Sequence, residues 1–124
     1  MPKPWFVTGC LIGALGVAAG AFGAHSLRQR LSADLLIIFE TAVRYQMYHA
    51  FGLLAVAFAS DRWSQTNFDL AGWLFLIGML LFSGSLYLLC LSGMKVLGAI
   101  TPLGGLCFLA GWVLLAWGVW KSQS

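Results

Sequence analysis

The stretch Trp5-Phe6-Val7-Thr8-Gly9-Cys10-Leu11-Ile12-Gly13-Ala14-Leu15-Gly16-Val17-Ala18-Ala19-Gly20-Ala21-Phe22-Gly23-Ala24 runs for 20 residues without a charge. A helix rises 1.5 Å per residue, so about 20 apolar residues are what it needs to cross the hydrocarbon of a bilayer. The stretch is therefore read as a membrane-crossing helix. Its glycines, Gly9, Gly13, Gly16, Gly20 and Gly23, alternate spacings of four and three and line one seam of period 3.5. In lipid, helices associate through packing rather than the hydrophobic effect, and small residues spaced as G-x-x-x-G let two backbones approach closely. Helix packing is the expected use of this seam. Lys3 ahead of the stretch and Ala19-Gly20-Ala21 within it imitate a secretory signal and its cleavage site; the expectation is a retained first helix.

Composition extends this reading to the whole chain. Of 124 residues, 60% are hydrophobic and 9% charged, with a mean hydropathy of +0.88, whereas a soluble domain is about 25% charged. Too few polar side chains exist to cover a water-soluble core, so lipid is expected to face the rest. The formal charge of +3 comes from Lys and Arg scattered between apolar runs. Scattered charges are loop anchors rather than a nucleic-acid footprint, and no nucleic-acid partner is expected. Cys10, Cys90 and Cys107 each sit in an apolar run with no Cys-x-x-Cys pair, and are read as small core packers.

Three further crossings follow along the chain. His25-Ser26-Leu27-Arg28-Gln29-Arg30 is too polar for lipid and forms a surface connection, after which Ser32 offers a helix N-cap. The apolar run Tyr45 to Ala59 is short for a full crossing, so its helix is extended back through Asp34 to Arg44. That puts Glu40 and Arg44 near headgroup depth, with Arg44 able to snorkel. Asp61 to Asn67 is a hydrophilic loop, and Leu70 to Leu91 supplies the third crossing. Thr101 is expected as N-cap of the last helix, with Pro102 in its first turn and Lys95 to Ile100 as a folded connector. Gly104, Gly111 and Gly118 repeat every seven residues as a second seam that can meet the first segment.

The expected fold is all-α: one transmembrane domain over residues 1–124, a bundle of four transmembrane helices at about 5–24, 40–60, 70–91 and 102–120, with a partly interfacial start to the second helix. Trp5, Trp63, Trp73, Trp117 and Trp120 would gather toward the terminal side as an interfacial belt. The charge bias is slight and favours a cytoplasmic placement of the connection carrying Arg28 and Arg30.

Alternating crossings bring polar groups from four stretches to the side opposite the termini: His25, then Glu40, Arg44, Tyr45 and His49, then Ser83, Ser85 and Tyr87, then Thr101. Glu40 precedes Arg44 by one helical turn, the favourable order for an ion pair, and Tyr45 and His49 share that spacing. These nine residues are the candidate ligand-binding set. Each also has a plainer reading, as a wet interfacial side chain or a serine bonded to its own helix. No His and Glu fall at metal-binding spacing, and neither nucleophile elbow, phosphate loop nor dinucleotide fingerprint is present. No metal, cofactor or catalytic residue is assigned.

Four motifs carry a family resemblance: Gly20-Ala21-Phe22-Gly23-Ala24-His25; Phe39-Glu40-Thr41-Ala42 with Tyr45-Gln46-Met47-Tyr48-His49-Ala50; Phe82-Ser83-Gly84-Ser85-Leu86-Tyr87; and Thr101-Pro102-Leu103-Gly104-Gly105 with Gly111-Trp112. They resemble the small bacterial membrane proteins grouped as domain of unknown function 423, which are similar to eukaryotic transmembrane protein 256. The resemblance runs over nearly the whole chain and implies a multi-pass protein of the bacterial inner (plasma) membrane. It carries no activity onto any residue, though its motifs coincide with the polar cluster.

The leading functional expectation is a non-enzymatic accessory, scaffold or self-associating membrane subunit, whose partners are the lipid bilayer and other membrane proteins or further copies of itself. The alternative is a carrier or sensor of a small solute, lipid headgroup or quinone at the polar side. A membrane-embedded enzyme with His49 as proton donor stands third.

Overall fold

A computed structural model describes residues 2–123, the side chain of residue 24 excepted. Helix α1 (Pro2–Ala18) runs through a π-helical turn (Ala19–Gly23) into α2 (Ala24–Leu27). After a short connection comes α3 (Ala33–Arg62); then α4 (Asp69–Met79) passes through a second π-helical turn (Leu80–Gly84) into α5 (Ser85–Ser92). A 3-10 turn (Lys95–Ala99) leads into α6 (Thr101–Lys121). Among the described residues no strand occurs. Among the described residues three helical stretches are long and apolar enough to cross a membrane: Pro2–Leu27, Asp69–Ser92 and Lys95–Lys121. Helix α3, the longest at 30 residues, is not one of them, because Glu40, Arg44, Gln46, His49 and Asp61 dilute its hydropathy.

Local chemistry sets the helix ends. Ser32 is extended and its hydroxyl accepts from Leu35 N at 3.2 Å, while Asp34 in the first turn complements the dipole of α3. Helix α5 stops at Gly93, whose φ of +74° is cheap only for glycine and whose N–H reaches Leu89 O at 2.8 Å. The start of α6 differs from expectation. Ile100 holds the cap position in helical geometry, with no side-chain cap, because the 3-10 turn feeds directly into the helix. Pro102 remains in the first turn, where its missing N–H leaves no bond unmade.

The long helices alternate direction. Added Cβ atoms at Gly9, Gly20 and Gly23 would meet Leu54, Val43 and Phe39 of α3 in reverse order, and Gly16 faces Met47. The α6 glycines do not face α1: Gly104 lies on Phe82 and Gly78, Gly111 on Phe75, and Gly118 on Phe68. The chain is thus two antiparallel hairpins, α1 with α3 and α4–α5 with α6. Phe75, Leu53 and Val56 are fully buried where the hairpins meet. Trp5, expected in an interfacial belt, is also buried, and its indole N–H donates to Asp69 Oδ1 at 2.8 Å. Of the cysteines only Cys90 is a core residue; Cys107 is half-buried and Cys10 points outward. Outside, large apolar side chains such as Leu11, Leu15, Leu80 and Leu91 are more than 60% exposed, an extent of apolar surface suited to lipid.

Candidate functional site

His49 lies near the middle of α3 and is only 3% exposed. Its Nδ1 sits 2.7 Å from Tyr45 O, one turn back, and its Nε2 sits 3.0 Å from Trp112 Nε1 of α6. A carbonyl can only accept and an indole N–H can only donate, so the partners specify the neutral ring with its proton on Nδ1. Both nitrogens are occupied. The ring also stacks on Phe108, centroids 3.5 Å apart and planes 8° from parallel. Phe75, Tyr45 and Trp112 pack around the ring, and Phe82 lies against Tyr45 and Phe108.

Five further side chains form bonds between helices, Gln46, Ser83, Ser85, Tyr87 and Cys90. Ser83 Oγ, in the second π-helical turn, donates to Ala42 O of α3 at 2.7 Å. Ser85 Oγ lies 2.9 Å from Phe82 O and 2.7 Å from Thr101 Oγ1, so the Thr101 hydroxyl is engaged across helices rather than in a cap. Tyr87 OH donates to Gln46 Oε1 at 2.6 Å, and Gln46 Nε2 donates to Ile12 O at 3.0 Å, so one amide ties α5, α3 and α1. Cys90 Sγ reaches Leu35 O at 3.3 Å. Among the described residues every buried side-chain nitrogen or oxygen has a partner. In lipid, where an unpaired polar group has no water to turn to, such completeness holds a bundle together.

The structure therefore brings Tyr45, His49, Ser83, Ser85, Tyr87 and Thr101 into one region and leaves three residues apart from it. His25 is exposed on α2, and Glu40 and Arg44 are exposed on α3. No ion pair joins Glu40 to Arg44 among the described residues, despite their one-turn spacing. Sequence reasoning missed Gln46 and Trp112 as members. Both carried a signal: an amide inside a lipid-length helix needs a partner, and an indole far from the helix ends needs an acceptor.

Beside His49 an open groove of about 800 Å3 runs between α3, the second π-helical turn and α6. Its lining is almost wholly apolar: Phe82, Phe108, Leu106 and Leu109, with Tyr45, Tyr48 and Trp112. His49 forms part of its wall and Gly105 leaves one side shallow. No group of three or more His, Cys, Asp or Glu capable of holding a metal occurs among the described residues.

Apolar helices of spanning length, an apolar exterior and an internally satisfied polar framework define a helical membrane protein. The chain belongs to the family described as Protein of unknown function (DUF423), whose model matches residues 19–105. It is 45% identical to a UPF0382 membrane protein of Staphylococcus saprophyticus, over 96% of this chain and 98% of that one. It is 44% identical to the UPF0382 membrane protein YwdK of Bacillus subtilis, over 91% and 93% of the two chains. A UPF0382 membrane protein of Haemophilus influenzae is 42% identical, over 100% and 99%. No solved structure matches the chain.

Proposed function

We propose that the chain crosses the bacterial inner membrane four times, with α3 as the second crossing, and serves there as a non-enzymatic accessory subunit for other membrane proteins. The observation that carries this reading is the engagement of the clustered polar side chains with one another, and with backbone carbonyls across helices. Their chemistry acts on the protein itself. Self-association through the glycine seams is the weaker variant, because both seams already face helices of the same chain; a partner would dock on the bulky outward side chains. Helix α3 supports a fourth crossing by its length, about 45 Å at 1.5 Å per residue, and by its place between the other long helices.

Two measurements test this together. With the native cysteines replaced by alanine, single cysteines at Ala33 and Gln65 should label from opposite faces of the membrane; labelling from one face removes the fourth crossing. Purification in mild detergent should yield a stoichiometric membrane partner, and a clean monomer without partners would remove the accessory role.

A second reading is favoured by one specific observation, the groove beside His49. It supports a carrier or sensor of a small amphiphile held from the lipid side.

A further inference from the structure

We propose that the groove between α3 and α6 is a stoichiometric phospholipid site, holding one acyl chain against Phe82, Phe108 and Trp112 with the phosphate at Arg44 and a headgroup ammonium toward Glu40. The proposal deepens the second reading above and rests on it, as well as on α3 crossing the bilayer.

Length is the first argument. Along α6 the lining runs from Pro102 to Trp112, ten residues, or about 15 Å. That is half of the roughly 30 Å hydrocarbon thickness, the depth of one leaflet. The groove ends at Phe51 and Trp112, near the middle of α3 and α6, so it has the reach of a single chain entering from the side on which α6 begins.

Shape decides between a lipid chain and a helix. A transmembrane helix approaches another where small residues leave the backbones bare, yet this lining is made of bulky rings. A thin, flexible hydrocarbon chain needs no bare backbone to lie against them.

Charge gives the headgroup. Arg44, Tyr48 and Phe51 fall on one face of α3 at spacings of four and three, and the latter two line the groove. Arg44 therefore stands above the groove toward its outer end, exposed, with a guanidinium suited to phosphate. Counting from His49, Arg44 sits about 7 Å and Glu40 about 13 Å toward the start of α3. An upward-reaching arginine thus extends to the edge of the hydrocarbon, below the phosphate, and Glu40 lies one turn further out. A cation followed by an anion matches a zwitterionic amine headgroup and disfavours a purely anionic one.

The test uses the full chain reconstituted in bilayer discs of equal phosphatidylethanolamine and phosphatidylglycerol, then released into mild detergent for native mass spectrometry. One phosphatidylethanolamine per chain should remain bound. Gly105→Leu should abolish the adduct, since Gly105 lines the groove and a Cβ there would lie 3.9 Å from Phe82, in ordinary contact, with far-UV circular dichroism to check that the variant is folded. Leu106→Trp fills the same space from the neighbouring position and should act alike. Arg44→Gln should lower the retained fraction several-fold. Retention of phosphatidylglycerol instead, or an adduct indifferent to Gly105→Leu and Leu106→Trp, overturns the proposal. Retention of a different amphiphile from cells, such as a quinone, overturns the phospholipid assignment while sparing the second reading, and a bare chain removes both.

Discussion

Gly104 and Gly105 are neighbours on α6, yet alanine should have opposite effects at the two positions. A methyl group at Gly104 would lie 2.5 Å from Phe82 N and 2.7 Å from Gly78 O, both backbone atoms. At Gly105 the nearest atoms are ring carbons of Phe82 at 3.9 Å. Carbon contacts settle near 3.5 to 4.0 Å, so α6 and the second π-helical turn must part by roughly 1 Å to admit the first methyl and need not move for the second. Overpacking of this kind costs about 1–3 kcal/mol, and backbone that cannot swing aside argues for the upper end, about 3 kcal/mol. Both substitutions gain the same helix propensity, about 1 kcal/mol. Gly104→Ala should then destabilise by about 2 kcal/mol and Gly105→Ala stabilise by up to about 1 kcal/mol. Their difference isolates the steric contribution. Unfolding from dodecylmaltoside micelles by added sodium dodecyl sulfate, followed by tryptophan fluorescence and far-UV circular dichroism, measures both. Coincident midpoints, or Gly104→Ala the more stable, would refute the close approach of α6 to that turn.

Two further substitutions address the polar framework. Trp112→Phe leaves His49 Nε2 without its donor and should cost about 1–2 kcal/mol, whereas Trp117→Phe, at a 56% exposed indole, should be near neutral in the same unfolding assay. A double-mutant cycle of Gln46→Leu with Tyr87→Phe should give a coupling of about 0.6 kcal/mol and no more than about 1.7 kcal/mol, the mean and the upper value for interhelical hydrogen bonds in lipid; additive effects would mean that the bond contributes nothing.

The sequence made some elements legible because their causes are local. The charge-free run from Trp5 to Ala24 and the 4-3 glycine rhythm specify a helix with one bare side. Ser32 caps α3 through a bond to a residue three positions on. What the pattern could not supply was the neighbour. The Gly104, Gly111 and Gly118 face was plain in the sequence, but its partner proved to be α4 and the π-helical turn rather than α1. Thr101 has strong local cap chemistry, yet its hydroxyl is engaged by Ser85 across helices. His49 and Trp112 stand 63 positions apart, and no local rule pairs them. Both π-helical turns went unread as well, since an extra residue in a turn shows only once the flanking helices have found their registers.

The two hairpins also have a bearing on how the chain is made. A ribosome delivers α1 and α3 before α4 to α6 exist, and that first pair must wait in the membrane. Two of the bonds that later join the halves end on Ala42 O and Leu35 O, main-chain oxygens within a helix that can hold its own ladder meanwhile. His49 Nε2 and Gln46 Oε1 are left waiting for donors from downstream, and the Trp5 indole N–H for its acceptor on Asp69. The nascent half therefore carries three side-chain groups with bonds still to make, and the second half completes it like a latch closing on a frame already standing.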